Sequence, residues 1–167
     1  VFRHGSMLWN RAYPGWRTLY GGTVLGWHDR VKAEAKFYTD RQVTATKRRS
    51  MAADPKLLLT LPAQDSRFYG RGRIGGGQGI YNMQSQFFDQ LIHAWRWTGD
   101  AVLEARLRPA LDLHLEWLRA CFDPDNDGLY ESLVNVWPTD SVWFGGGGGT
   151  EETAYAFRAH TAASQLA

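Results

Sequence analysis

Apolar positions recur with a helical period in four stretches of the chain. From Trp27 or His28 to about Thr46, the residues Val31, Ala35, Tyr38 and Val43 fall near helical spacing. From Asn82 to Trp97 the stripe is sharper: Phe88, Leu91, Ile92 and Trp95 stand at i, i+3, i+4 and i+7, and Gly99-Asp100 ends the run. Ala101 to Phe122 carries Leu103, Leu107, Leu111, Leu115 and Leu118 along one side. Pro109 is expected to divide that stretch into a short first turn and a longer helix, because an interior proline loses a hydrogen bond and clashes with the preceding turn. A fourth helix is expected after Thr150, an N-cap residue followed by Glu151 and Glu152 in the first turn. Its Ala154, Ala156, Ala159, Ala162 and Ala163 make it small and apolar nearly all round, which predicts burial.

Between these stretches the pattern reads as loop, without convincing strands. Gly70 to Gly79 is rich in glycine and arginine, and Asp123 to Gly149 is a long connection with acids, aromatics and five consecutive glycines. Loops longer than about 15 residues in a compact domain are usually functional or disordered. This one holds Tyr130, Trp137, Trp143 and Phe144, which argues against disorder. The plan is all-α: helical hairpins with long loops gathered on one face. The Asp123–Gly149 loop and the N-terminus of the first helix are expected at the same end.

Composition narrows the class. At 167 residues, with 44% hydrophobic and 22% charged residues, the chain has the size and make-up of one globular domain rather than of a disordered segment. No run approaches the roughly 20 apolar residues of a membrane span, so no membrane partner is expected. A single cysteine, Cys121, excludes an internal disulfide and a cysteine-built zinc site. Charge is polarised: residues 1–73 carry 14 Lys and Arg against 5 Asp and Glu, whereas residues 74–167 carry 5 against 12. The basic run Lys47-Arg48-Arg49 sits where the first helix is expected to end and complements its dipole. No nucleic-acid-binding signature accompanies it, so no nucleic acid is expected as partner. The chain starts at Val1 without a leader pattern and stops inside a helical pattern at Ala167. Residues 1–167 are therefore read as a fragment of a longer polypeptide, with the remainder of the same polypeptide as its expected partner. Helix faces missing their neighbours should then expose a large apolar patch. Compartment is not set by the sequence; a periplasmic or secreted location is compatible with it.

Several motifs fail on context. Gly70-Arg71-Gly72-Arg73-Ile74-Gly75 matches a dinucleotide-binding fingerprint by letters, but no strand precedes it and no βαβ unit surrounds it. Phosphate-loop, zinc-protease and serine-hydrolase signatures do not occur. Asp123-Pro124-Asp125-Asn126-Asp127-Gly128 resembles the first half of a calcium loop, yet Val134 stands at the twelfth position, where a bidentate Glu belongs. A turn capped by its own side chains is the simpler reading, with another type of calcium loop left open. No metal and no cofactor is expected.

What survives is a set of carboxylates interleaved with aromatics: Glu131 beside Tyr130, then Asn135, Trp137, Asp140 and Trp143. Sugar rings lay apolar C–H faces on aromatic rings, and their hydroxyls need carboxylates and amides to orient them. Glycoside hydrolysis needs a protonated carboxyl at the leaving oxygen and a second carboxylate on the opposite face. Aromatic neighbours would raise the pKa of Glu131 by desolvation, as a general acid requires.

The segments Tyr81-Asn82-Met83-Gln84, His93-Ala94-Trp95-Arg96-Trp97-Thr98-Gly99-Asp100, Leu115-Glu116-Trp117 and Asp123 to Glu131 together resemble the six-hairpin glycosidases. These are the (α/α)6-toroid enzymes that include glucoamylases and trehalases. The resemblance covers about residues 16–167 and suggests an uncharacterised bacterial branch. It implies a partial toroid, inverting hydrolysis of a carbohydrate substrate, and Glu131 as general acid, from the likeness of Gly128-Leu129-Tyr130-Glu131 to the glucoamylase acid stretch. Trp27 and Asp29, in Trp27-His28-Asp29-Arg30, are similar to the stretch that binds the terminal sugar. The catalytic base of such enzymes comes late in the toroid and is expected outside residues 1–167. Within the constellation, Asn135, Trp137 and Asp140 are the remaining substrate contacts. Two other readings stand beside this one: a noncatalytic carbohydrate-binding or scaffold segment, and a polysaccharide lyase using Tyr130 or His28.

Overall fold

The computed structural model describes residues 18–44, 70–74, 81–131, 135–136, 142–143 and 149–167. Within them the protein is mostly helical: α1 (Thr18–Val24), α2 (His28–Thr39), α3 (Tyr81–Thr98), α4 (Ala101–Phe122) and α5 (Thr150–Leu166). A two-residue antiparallel pair, β1 (Asn135–Val136) with β2 (Val142–Trp143), lies in the α4–α5 connection.

The helices alternate in direction and sort into two layers. In one layer α3 packs between α1 and α5; in the other α2 packs against α4. Specific side chains fix the directions. The Leu19 amide of α1 donates to Gln90 Oε1 of α3 (3.0 Å), and the next residue, Tyr20, meets the His93 ring edge to face (5.2 Å). The short Leu25–Trp27 turn sends α2 back along α1. Lys32, in the first turns of α2, reaches Asp100 at the start of α4 (3.2 Å), and Arg106 reaches Thr39 near the end of α2 (2.9 Å). α2 thus runs parallel to α4. Gln86 pairs with Glu151 at the start of α5, and Arg96 with Gln165 near its end, so α5 is parallel to α3.

Between the layers sits an aromatic and aliphatic core of Phe87, Phe88, Leu91, Ile92, Leu107, Leu111, Leu118 and Phe122. His114 lies fully buried within it, stacked on Phe88 at 4.0 Å and 16°.

The helix boundaries differ from the pattern-based reading in four places, each with a local cause. α1 was not expected, because Gly21-Gly22 inside Thr18–Val24 weakens its helix signal. α2 stops at Thr39 rather than Thr46: Gln42 turns to bridge Ile74, and its Nε2 donates to the Gly72 and Ala110 carbonyls (both 2.8 Å). α4 runs unbroken through Pro109, whose exposed position, like that of Ala105 one turn before it, lets water take up the freed carbonyl. Gly149, not Thr150, is the N-cap of α5, and that helix is buried on one side only, through Glu152, Ala156, Ala159, Ala162 and Leu166. Phe157 on its other side is 74% exposed.

The apparent dinucleotide fingerprint has a packing role. Gly72, at φ +97°, lies so close to α4 that a Cβ would overlap the Leu113 carbonyl and come within 2.6 Å of Trp117 Cβ. Val43 and the 72–73 backbone close the contact through hydrogen bonds of 2.8 Å.

Candidate functional site

The alternation gives the molecule two unlike ends. Short turns, Leu25–Trp27 between α1 and α2 and Gly99–Asp100 between α3 and α4, share one end. The long connections, from α2 to α3 and from α4 to α5, begin and finish at the other, where α3 and α5 start.

Glu131 lies at the long-connection end. Its N–H donates to the Phe122 carbonyl in the last turn of α4 (2.7 Å), and its side chain is half-buried. The neighbouring Tyr130 is clamped to α5: its N–H donates to Thr153 Oγ1 (3.0 Å), and its carbonyl accepts from Gly149 N–H (2.7 Å). Its ring is buried, with the hydroxyl 2.9 Å from His160 Nε2. Burial, with the Asp123 carboxylate, raises the Tyr130 phenol pKa; burial, with Arg119, lowers that of His160. The pair is thus held neutral near pH 7, suited to a shared hydrogen bond rather than an ion pair.

Trp27 and Asp29 lie at the opposite end. Asp29, whose side chain is 99% exposed, pairs with Lys32 (3.4 Å), which also holds Asp100. Arg30 covers the Trp27 ring at 5.3 Å. Because α4 separates the two ends and its 22 residues span about 33 Å, the expected joint site of Trp27 and Asp29 with Glu131 is not formed. The cause is the direction of α2, which runs parallel to α4, so that its first turn lies at the start of α4 and away from Glu131. With α1 in place, Trp27–Asp29 is a short hairpin turn rather than the entry from a long loop. His28, whose Nε2 lies 3.1 Å from the Thr23 carbonyl, is likewise remote from Tyr130. Asn135 is in β1, opposite Trp143. Trp137 and Asp140 lie outside the described residues.

The structure brings other groups to the Glu131 end. Glu152 is 2% exposed, and burial, reinforced by Glu151, raises its carboxyl pKa above the usual range. Gln86 in the second turn of α3 donates to Glu151 Oε1 (3.3 Å). Sequence reading took Glu151 and Glu152 only as first-turn acids, and gave Gln86 no role. The available signal was the run Gln84-Ser85-Gln86 in a helix whose flanking Phe87 and Phe88 mark it as central. All three side chains are buried.

Asp123, Asp125 and Asp127 gather carboxylate oxygens within 4.8 Å of one another. They are hard donors of the kind calcium takes. They also cap their own turn: Asp123 accepts from Gly128 N–H (3.3 Å) and Asp127 from Leu129 N–H (2.7 Å), with Asn126 at φ 61°. Beside them, an open groove of about 450 Å³ runs along the outer face of α4, lined by Glu116, Arg119, Asp123 and Asn126.

No protein-family profile, curated protein or solved structure matches this chain. Among the described residues no helix is long and apolar enough to cross a membrane.

Proposed function

We propose that the chain is part of a glycoside hydrolase of the (α/α)6-toroid kind, inverting, with Glu131 as general acid. The observation that carries the reading is the two-layer alternation that gathers the long connections, Glu131 and the buried Glu152 at one end, where the helices of one layer begin. Repetition of such hairpins would close a ring with that end as its mouth, and carboxyls there would flank a bound sugar. Trp27 and Asp29 have no part in this site.

A noncatalytic carbohydrate-binding role draws on a different observation. Trp27 and Trp97 are 47% and 58% exposed at the short-turn end, and exposed indole faces suit sugar stacking. Product analysis separates the readings. The polypeptide carrying this chain should release reducing sugar from neutral oligosaccharides, with inverted anomeric configuration by proton NMR. Binding without release supports the noncatalytic role, and an unsaturated, ultraviolet-absorbing product would assign a lyase.

A further inference from the structure

We propose that Gln86, with the first-turn pair Glu151 and Glu152 of α5, forms a subsite that reads a hydroxyl of a neutral sugar; the inference rests on the saccharide reading above. Gln86 is 3% exposed, and its amide nitrogen is engaged by Glu151. Its Oε1 is buried and has no hydrogen-bond partner among the described residues, and the same holds for Oγ of the adjacent Ser85. Buried acceptors are rarely left unpaired, and each such group in a folded protein calls for an explanation. A ligand that donates to Gln86 Oε1 supplies one.

The ligand's class follows from the surrounding charge. Among the described residues that follow α4 or open α5, Asp123, Asp125, Asp127, Glu131, Glu151 and Glu152 are acidic; the cations flanking them are Arg119, in the groove on α4, and Arg158, which is paired with Asp89 (2.7 Å). The start of α5 would ordinarily attract an anion, but Glu151 and Glu152 already occupy its first turn and offset the dipole. Phosphates, uronates and sulfated sugars are therefore repelled. A neutral hydroxyl is both donor and acceptor. It can donate to Gln86 Oε1 or the Glu151 carboxylate, and it can accept from the Ser85 hydroxyl.

The test compares binding of neutral, uronate-containing and sulfated oligosaccharides to the polypeptide carrying this chain, native and with Gln86→Leu, alongside melting temperature. Neutral ligands should bind at least tenfold tighter than the anionic ones. Gln86→Leu should weaken neutral binding at least tenfold while the melting temperature holds or rises, because an unpaired buried acceptor has been removed. Unchanged neutral binding in Gln86→Leu overturns the subsite and leaves the saccharide reading standing. Tighter binding of the anionic set overturns the assigned class. Absence of binding and of cleavage across the panel ends the saccharide reading itself, and the subsite with it. If Gln86→Leu melts lower, Glu151→Gln carries the test: its amide still bonds Gln86, and the ratio of uronate to neutral affinity should rise at least threefold. An unchanged ratio contradicts the proposal.

Discussion

His114 should make this fold sensitive to mild acid. The imidazole is fully buried in α4, stacked on Phe88 of α3 and lying 5.8 Å from the Trp117 ring, with His160 facing it from α5. Neither ring nitrogen has a hydrogen-bond partner among the described residues. Burial, and secondarily His160, lowers its pKa from 6.5 to about 3. The folded state therefore holds the neutral ring, whereas the unfolded chain binds a proton below pH 6.5. Stability from this group is complete above pH 6.5 and is lost as pH falls toward 3. The loss is about 2 kcal/mol at pH 5 and about 5 kcal/mol once pH falls below both values. His114→Leu keeps an apolar side chain of similar size and removes the titration. Urea melts of both proteins between pH 7.5 and 4.5 check this. The variant should lose about 2 kcal/mol less than the native protein between pH 7.5 and pH 5. Parallel profiles would refute the reasoning and place a hydrogen-bond partner or water at the ring.

Two further outcomes follow from the packing of the loops. Gly72→Ala should cost about 2 kcal/mol or more, read as a lowered urea midpoint, because its Cβ meets α4 backbone at a positive φ; a neutral substitution would mean that 70–74 does not pack where it is placed. Chelation of calcium should leave the melting temperature unchanged, because Asp123 and Asp127 already accept backbone N–H groups in their own turn; a fall on chelation, reversed by added calcium, would assign Asp123, Asp125 and Asp127 as ligands.

Much of the architecture was legible in the chain. The stripe Phe88, Leu91, Ile92, Trp95 placed α3 to within a residue at each end, because a central helix with a strong apolar face and a Gly-Asp stop leaves little freedom. Gly99-Asp100, read as the end of α3, has a second role that was not read: Asp100 caps α4, accepting from Val102 and Leu103 N–H. The seven-residue α1 was not legible. Its two glycines give a weak local signal, and tertiary contacts supply the stability: Leu19 is fully buried, and Tyr20 bonds the Asp89 carboxylate. The side on which Trp27 and Asp29 fall does not depend on α1: α2 runs parallel to α4, so its first turn lies at the start of α4 and away from Glu131. Gln86 and Glu152 were illegible for another reason. Periodicity marks apolar faces, and a polar residue buried by a neighbour 65 positions away adds nothing to that pattern; only the polar run Gln84-Ser85-Gln86 beside Phe87 and Phe88 hints at it.

The central claim is that Glu131 gives its proton to a glycosidic oxygen. Glu131→Gln in the polypeptide carrying this chain, measured on a neutral oligosaccharide that the native protein cleaves, tests it most directly. The account predicts kcat reduced by at least a thousandfold with substrate affinity unchanged within about threefold. Native-like kcat in a folded Glu131→Gln protein would contradict it.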